Sequence, residues 1–486
     1  MESRIAIFSK LVRDCMRDVP LAVAEGTPLG EVAQRMEAAS ASSTTVTDAE
    51  GRPVGIVTER DITRRAAFKL DATAPVEAAM TAPVSIIVED EYLYYAIARM
   101  RRRGLRHMPV VGANRRLTGM LNLHDALAVA SETLMGQIDI LTRDESLEGL
   151  KLIKAAQVEL ADQLLGEHMP ATEIQALLTH INNDIYRRVV NLNLDAMTEE
   201  GWGEAPVGFA VIVMGSGGRG ENFLYPDQDN GFILEDYPDD RHADIDAWFI
   251  NLAERMTRDL GIVGLPLCKG FVMATNPLWR KTLSQWKEQV RLWSKKRGVT
   301  ALRLCDIFFD FRPVCGDAEM ADDLRRFVTQ TASGNKAFLR DMYEDDVEHI
   351  VALGWFSRLL TEQDDEDFKG RINLKHTGTL PLVEAMRLLS FRDGVEAVST
   401  LGRMDALKDC GTLNSDEHDY LAGAFRHISH LLLRQQIADF KAGTTVSNYV
   451  HPDTLSERER DMLVDSFKAI RALRAKIKGD FTGDIF

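Results

Sequence analysis

Two copies of one hydrophobic pattern occupy the first quarter of the chain, offset by 64 positions. Each copy has a short apolar strand (LAVA; VSIIV), an amphipathic helix that ends in Met (PLGEVAQRM; YLYYAIARM), a second strand and a polar turn (DAEGRP; GANRRL). The offset aligns Met16 with Met80 and Gly55 with Gly119. Because one βαββα unit leaves apolar surface that a second copy can bury, the pattern predicts a paired module over residues 1–132.

The rest of the chain alternates between helical periodicity and mixed patterns. Residues 133–205 contain LEGLKLIKAAQVELADQLL and EIQALLTHINNDIYRRVVNLNL, whose apolar positions repeat at helical spacing and predict connecting helices. Residues 206–320 mix apolar strand-like runs with helices and predict a domain with a small mixed sheet. Residues 321–486 are helical again (DYLAGAFRHISHLLLRQQIADF) and predict a packed C-terminal bundle. The expected fold class is therefore α+β.

Composition and charge narrow the class of protein. The 486 residues are too many for one core, and 45% hydrophobic with 27% charged residues is typical of globular domains. A net charge of −16 disfavours a large nucleic acid as partner. The five cysteines are scattered and form no C-x-x-C, so neither a disulfide framework nor a zinc site is expected. With no signal peptide or membrane-length apolar run, we expect a cytoplasmic protein without a membrane partner.

The stretch GSGGRGENFLYPDQD, residues 215–229, allows two interpretations. Its first six residues match the dinucleotide-binding fingerprint G-x-G-x-x-G and follow the strand-like run VGFAVIVM. That fold requires a full helix after the glycines, but Pro226 leaves room for barely two turns before the extended segment DQDNGFIL. The NAD interpretation is therefore rejected.

The alternative is a strand, a Gly-Ser turn, a short helix and a strand that carries D-x-D. On a strand, Asp227 and Asp229 share one face, and two adjacent carboxylates repel each other unless a cation neutralises them. Carboxylate oxygens are ligands that Mg²⁺ takes together with substrate phosphates. The backbone N–H groups of Gly215 and Ser216 are expected to hold a triphosphate, and Arg219 adds a phosphate contact.

This arrangement resembles the DNA-polymerase-β-like nucleotidyltransferase superfamily, which combines a Gly-Gly or Gly-Ser turn, D-x-D and a third carboxylate on a later strand. Gln228 stands where that superfamily usually has an apolar residue, which predicts an edge-like strand. The third carboxylate is expected at Asp310, inside the apolar run IFFDF. The resemblance implies that Asp227, Asp229 and Asp310 are catalytic and bind Mg²⁺. A buried ion pair between Asp310 and Arg312 is the alternative.

The endings GIVTERD and GMLNLHD, with RHMPVV before the second, resemble the CBS-domain family. The resemblance implies that Thr58 and Asp61 of the first repeat, and Asp125 of the second, bind an adenine nucleotide effector. It also implies a homodimer formed through this module. Asn122 replaces the Thr or Ser that the family favours in the second repeat. In the alternative interpretation, the aspartates only cap the following helices.

The order of the parts is similar to a family of bacterial signalling nucleotidyltransferases related to the PII uridylyltransferase and the glutamine-synthetase adenylyltransferase. This resemblance implies transfer of NMP from an NTP to a protein or small-molecule acceptor, under control of the CBS pair. In INLKHTGTLPLVEAM it matches Lys375 to a phosphate-binding lysine, although a solvated loop lysine fits the pattern equally. The rival hypothesis is a catalytically degenerate nucleotide sensor that acts by binding partners.

Overall fold

The computed structural model describes residues 10–18, 21–39, 41–66, 69–112, 114–128, 146–295, 299–346 and 349–482. The chain divides into two compact units, Met1–Arg143 and Asp144–Phe486. The boundaries of the four predicted domains stay predictions, and residues 133–145 of the expected connecting segment lie outside the described residues.

The N-terminal unit contains the two predicted repeats. Its elements are β1 (Arg17–Asp18), β2 (Ala22–Ala24), α1 (Leu29–Ala38), β3 (Ser43–Thr47), β4 (Pro53–Thr58), α2 (Glu59–Asp61), β5 (Ile87–Val88), α3 (Leu93–Arg102), β6 (His107–Val111), β7 (Leu117–Asn122) and α4 (Leu123–Ala128). The strands form two sheets, in the orders β2-β3-β4 and β1-β7-β6-β5. Helices α1 and α3, strands β3 and β6, and strands β4 and β7 are related by the predicted offset, which confirms the repeat.

A reciprocal contact explains why the repeats come as a pair. The side chain of Met80 fills the space that a Cβ atom would occupy at Gly55, and Met16 does the same at Gly119. Each repeat thus inserts the methionine that precedes it into the last strand of the other repeat. Any larger residue at either glycine would have to displace a partly buried methionine side chain.

The C-terminal unit combines one small sheet with a large set of helices. Its elements are α5 (Leu147–Gly166), α6 (Ala171–Glu199), β8 (Phe209–Val213), α7 (Gly215–Arg219), β9 (Asn230–Leu234), α8 (His242–Val263), β10 (Arg280–Thr282), α9 (Leu283–Lys295), α10 (Val299–Phe308), β11 (Arg312–Gly316), α11 (Ala318–Ser333), α12 (Lys336–Asp346), β12 (Ile372–Asn373), α13 (Leu380–Arg392), α14 (Thr400–Asp409), α15 (Ser415–Lys441), β13 (Tyr449–Val450) and α16 (Glu457–Thr482). A wide turn, Lys375–Thr379, leads into α13. The expected α+β fold with a helical C-terminal region is confirmed.

Strand β9 lies inside its sheet, whose order is β10-β9-β8-β11. The expectation of an edge-like strand was wrong, and the reason is the environment of Gln228. Its side chain is fully buried, and its Nε2 donates to the carbonyl oxygens of Leu265 (2.8 Å) and Thr257 (3.2 Å). Carbonyl groups of α8 and of the residues that follow it thus accept both hydrogen bonds from the amide nitrogen of a residue that the sequence alone places at an exposed edge.

The sheet and the C-terminal helices share one hydrophobic core. This core runs from Ile212 and Met214 beside the sheet to Phe467 in α16. Trp286 stacks on Phe308 within it, with ring centroids 4.5 Å apart. A side chain of this size contributes roughly 2–3 kcal/mol when it is fully buried. The residues at the end of β8, just before the Gly-Ser turn, are therefore part of this shared core. Among the described residues, no helix is both long and apolar enough to cross a membrane.

Candidate active site at the Gly-Ser turn

The turn after β8 lies directly against an aspartate. Gly215 has a φ of +58°, a left-handed value that glycine adopts without strain. A Cβ atom at this position would lie 3.3 Å from the Oδ2 atom of Asp229, and the backbone N–H of Met214 donates to the Asp229 carbonyl oxygen at 2.9 Å. The single-turn helix α7 then ends at Gly220, whose φ is +78°. The predicted order of strand, Gly-Ser turn and short helix is confirmed.

The two aspartates of D-x-D precede strand β9 and do not belong to it. The strand begins at Asn230, and the backbone N–H of Asp229 donates to the carbonyl oxygen of Asp227 at 3.0 Å, forming a tight local turn. Asp227 is exposed, Gln228 is buried and Asp229 is half-buried. The expectation that Asp227 and Asp229 lie on a strand was therefore wrong. The predicted alternation of side chains is present, because both aspartates are more exposed than Gln228 between them.

Asp229 is held in an electrostatically mixed environment. Burial raises the pKa of Asp229, and the charge of Asp227 adds to this, whereas a hydrogen bond with Cys268 and the charges of Lys375 and Arg219 act in the opposite direction. Burial, together with Asp229, raises the pKa of Cys268 to about 11, so the thiol stays protonated and donates to the carboxylate. A bound cation would relieve the electrostatic repulsion between the carboxylates of Asp227 and Asp229.

The residues present fit a magnesium ion bound jointly with a substrate. Asp227 and Asp229 are separated by one residue, and their carboxylates are hard oxygen ligands of the kind that Mg²⁺ prefers. Within the described ranges, no three His, Cys, Asp or Glu side chains converge in a way that could hold a metal ion. An ion at the two aspartates would therefore take its other ligands from phosphate oxygens and water, as Mg²⁺ commonly does.

Three of the predicted nucleotide-binding residues line a single cavity of about 140 Å³. Ser216 and Arg219 come from the turn and from α7, whereas Lys375 comes from the wide turn before α13. The chain thus brings Lys375 to the glycine loop from more than 150 residues away. Lys375 is an exposed residue and contributes a positive charge to the lining of the cavity.

Asp310 occupies a different environment from the one expected. Helix α10 ends at Phe308 and β11 begins at Arg312, so Asp310 lies between elements and not within a strand. That expectation was wrong. The side chain is fully buried, and its two oxygens accept hydrogen bonds from Arg219 Nη1 (2.8 Å), Arg387 Nη2 (2.7 Å) and Arg403 Nη2 (2.6 Å). This geometry leaves Asp310 no uncommitted oxygen for a metal ion.

The arginines around Asp310 form a network that the sequence did not reveal. Although burial acts to raise it, the charges of Arg387, Arg403 and Arg219 hold the pKa of Asp310 well below its usual range. Arg219 Nε also donates to Glu221 Oε2 at 2.7 Å, so two carboxylates fix its guanidinium group. One sequence signal was available, because Arg387 interrupts the buried helix LPLVEAMRLLSF and a buried charge needs a partner.

Family models match most of the chain. CBS-domain models match residues 12–67 and 76–132, a model described as "Putative nucleotidyltransferase DUF294" matches 155–299, and its "Putative nucleotidyltransferase substrate binding domain" matches 336–481. The chain belongs to the CBS-containing DUF294 nucleotidyltransferase family. The Gly-Ser turn and D-x-D lie in the DUF294 domain, and Lys375, Arg387 and Arg403 lie in the substrate-binding domain.

Individual relatives cover only parts of this family member. An uncharacterized 17.7 kDa protein of Acidianus ambivalens is 37% identical over 97 residues, which is 20% of this chain and 58% of that one. An uncharacterized protein of Methanopyrus kandleri is 30% identical over 101 residues, 20% of this chain and 52% of that one. The chain therefore spans about half the length of the curated relatives it matches.

Solved CBS structures are similar to about a quarter of this chain. A CBS domain protein from Pyrobaculum aerophilum, complexed with AMP, is 26% identical with a TM-score of 0.24 and covers 26% of this chain and 98% of its own. A CBS-domain protein from Agrobacterium tumefaciens is 27% identical with a TM-score of 0.22 and covers 24% and 98%.

The candidate effector residues of the CBS domains make local contacts. Thr58 Oγ1 donates to Asp61 Oδ2 at 2.7 Å, and the Asp61 backbone N–H donates back to Thr58 Oγ1 at 3.2 Å, so the two residues cap α2. Asp125 forms an ion pair with Arg17 at 2.6 Å. The capping interpretation describes Thr58 and Asp61, and nucleotide binding at all three residues stays a prediction.

Proposed function

We propose that this chain is a Mg²⁺-dependent nucleotidyltransferase that moves an NMP group from an NTP to a hydroxyl group of a protein or small-molecule acceptor. The CBS pair would bind an adenine nucleotide that regulates this transfer, and would join two copies into a homodimer. Family membership supports the reaction class, and the geometry of the Gly-Ser turn supports the placement of the substrate.

One observation carries the proposal. Gly215 has a left-handed φ, and a Cβ atom at this position would come within 3.3 Å of the Asp229 carboxylate, so the backbone of the turn lies close to this acid. The turn and the acid pair therefore form one continuous surface. The cavity lined by Ser216, Arg219 and Lys375 lies beside that surface, because Ser216 and another lining residue, Pro226, directly adjoin Gly215 and Asp227 in the chain. Phosphate-binding groups next to a pair of carboxylates suit a metal-bound triphosphate.

The transfer is an in-line displacement at the α-phosphorus. The acceptor oxygen forms a bond to this phosphorus, the bond to the bridging oxygen of the β-phosphate breaks, and the hydroxyl proton passes to solvent while pyrophosphate leaves. Asp227 and Asp229 would hold Mg²⁺, which supplies charge neutralisation when bound. Ser216, Arg219 and Lys375 would bind and orient the two terminal phosphates.

A second candidate, nucleotide sensing without transfer, is favoured by the state of Asp310. Its oxygens are engaged by three arginines, so the chain offers two acids for metal binding where the resemblance implies three. A sensor would bind NTP at the same turn but release no pyrophosphate. The two functions therefore differ in a single measurable product.

The test is pyrophosphate release by the full chain with Mg²⁺, each NTP in turn and a cell extract as the source of acceptor. Asp227→Asn with Asp229→Asn keeps the shape of the site and removes its charge, and we expect a rate loss of about a thousandfold or more, roughly 4 kcal/mol. Asp239→Asn with Asp240→Asn, an exposed acid pair elsewhere in the same domain, is the matched control. Equal rates for the two double variants would refute the assignment of the metal site.

A further inference from the structure

The loop after helix α8 is firmly attached to the D-x-D segment. Gly264 ends the helix with a φ of +110°, and the chain then runs beside residues 228–230. Three contacts join the two segments: Gln228 Nε2 to the Leu265 carbonyl oxygen (2.8 Å), the Gln228 N–H to the Pro266 carbonyl oxygen (2.9 Å), and the Asn230 N–H to the Val272 carbonyl oxygen (3.0 Å). Residues 265–272, called the α8 loop below, are therefore a fixed wall of the site.

This fixed loop presents apolar side chains to solvent. Phe271 is 69% exposed and Leu267 is 56% exposed, although both stand within a few residues of a buried anchor. Phe271 also has a φ of +54°, which is rare for a residue with a bulky side chain. Its N–H donates to the Cys268 carbonyl oxygen at 3.0 Å, so this conformation is held by the turn. Strain of this kind persists where the surroundings enforce it and is concentrated at ligand sites.

The position of Phe271 suits one part of the nucleotide. The cavity beside the turn is lined by Ser216, Arg219 and Lys375, and it takes the terminal phosphates in the proposed function. The α-phosphate then lies at Asp227 and Asp229, which leaves the nucleoside outside the cavity. The α8 loop adjoins this segment next to Phe271, where the Asn230 N–H donates to the Val272 carbonyl oxygen. An exposed aromatic ring there offers a surface on which a base can stack.

We propose that Phe271 is the stacking platform for the nucleobase of the NTP. This inference rests on the proposed function and adds a binding residue for the nucleoside. Stacking uses the π-face that every base has, so Phe271 contributes affinity and does not distinguish one base from another. Choice among the four NTPs has to come from other groups.

The test is equilibrium calorimetry on the full chain with Mg²⁺, using each of the four NTPs and inorganic tripolyphosphate as probes. Phe271→Ala should raise the Kd of every NTP that binds by about tenfold to a hundredfold. The Kd of tripolyphosphate, which has no base, should stay unchanged. Phe271→Tyr keeps an aromatic face and should restore NTP affinity.

Phe356→Ala is the matched control, because Phe356 is also an exposed phenylalanine with a left-handed φ, +53°, and stands on a different loop. It should leave the Kd of both probes unchanged. The inference is overturned if Phe271→Ala leaves NTP affinity intact, if it weakens tripolyphosphate equally, or if it changes only the KM of a polypeptide acceptor. NTP binding without pyrophosphate release would refute the proposed transfer and leave the role of Phe271 standing, whereas no NTP binding by the wild type refutes both.

Discussion

Replacing Asp310 with asparagine tests whether this buried acid is a structural counter-ion or a metal ligand. Asp310 is fully buried, and its partners Arg387 and Arg403 are almost fully buried as well. Breaking a buried ion pair on one side leaves uncompensated charge, which typically costs 3–5 kcal/mol. With three guanidinium groups sharing one carboxylate, we expect Asp310→Asn to lose about 4 kcal/mol of unfolding free energy, a large part of the 5–15 kcal/mol typical of a domain.

The assay is urea unfolding of the full chain, followed by a signal of the C-terminal unit. Asp306→Asn is the control, because Asp306 accepts one hydrogen bond from Arg387 Nη1 (2.9 Å) and its side chain is partly exposed. We expect it to cost about 1 kcal/mol. An Asp310→Asn variant as stable as the wild type, but unable to bind Mg²⁺ with NTP, would refute the counter-ion assignment and restore the metal-ligand prediction.

The ion pairs of Asp310 predict that the unfolding free energy falls at acidic pH. The pKa of Asp310 is depressed in the folded state, so its contribution to stability is fully present above the pKa of the unfolded chain, about 4. It is lost as the pH falls below that value towards the folded pKa. Asp310→Asn should remove this acid-side slope from the unfolding free energy between about pH 4 and pH 2.

Two further predictions concern a buried lysine and the CBS pair. Burial lowers the pKa of Lys154 from 10.5 to about 7. Between these two pH values Lys154 is protonated in the unfolded chain but neutral in the folded chain. The unfolding free energy should therefore rise with pH over this range, by up to about 4–5 kcal/mol. In unfolding measurements at several pH values, Lys154→Met should flatten that slope, and Lys151→Met, on the exposed face of the same helix, should keep it. Asp61→Ala should weaken AMP binding to the full chain by at least about tenfold in calorimetry. Glu37→Ala, a change at an exposed residue, should leave AMP affinity unchanged. Equal AMP affinities of the two variants would indicate that the module serves only as a dimerisation surface.

Local features of the site could be predicted because their signal is carried by neighbouring residues. Gly215 is required by its own backbone conformation, and Asp227 and Asp229 are separated from it by only a short helix. The CBS repeat was visible because the methionines and glycines that pack on one another recur at the same offset. In each case the sequence contains both partners of the interaction within one recognisable pattern.

Tertiary partners explain two of the three wrong predictions, those for Asp310 and Gln228. The run IFFDF is equally compatible with a strand and with the end of a helix, and a short apolar run does not distinguish the two. Two of the three arginines that bond Asp310 come from α13 and α14, 77 and 93 residues later, and no periodicity points to them. The prediction for Gln228 was wrong for the same reason, because the carbonyl groups that accept its hydrogen bonds belong to Thr257 in α8 and Leu265 in the α8 loop.

The charge balance around Arg219 decides how a triphosphate can be held. Arg219, Arg387 and Arg403 form a cluster of ion pairs with Asp310, Asp306 and Glu221, so carboxylates already offset much of the positive charge of Arg219. Arg219 can therefore orient a phosphate through its fixed guanidinium group but adds little net charge. Among the cavity-lining residues that the structure describes, Lys375 is the one cation outside this cluster. A triphosphate carries far more negative charge than one lysine offsets, and Asp227 and Asp229 add to the repulsion. A divalent cation between the acids and the phosphates would offset the excess negative charge of the triphosphate and also its repulsion by the two aspartates. The proposed function therefore requires Mg²⁺ for binding as well as for transfer.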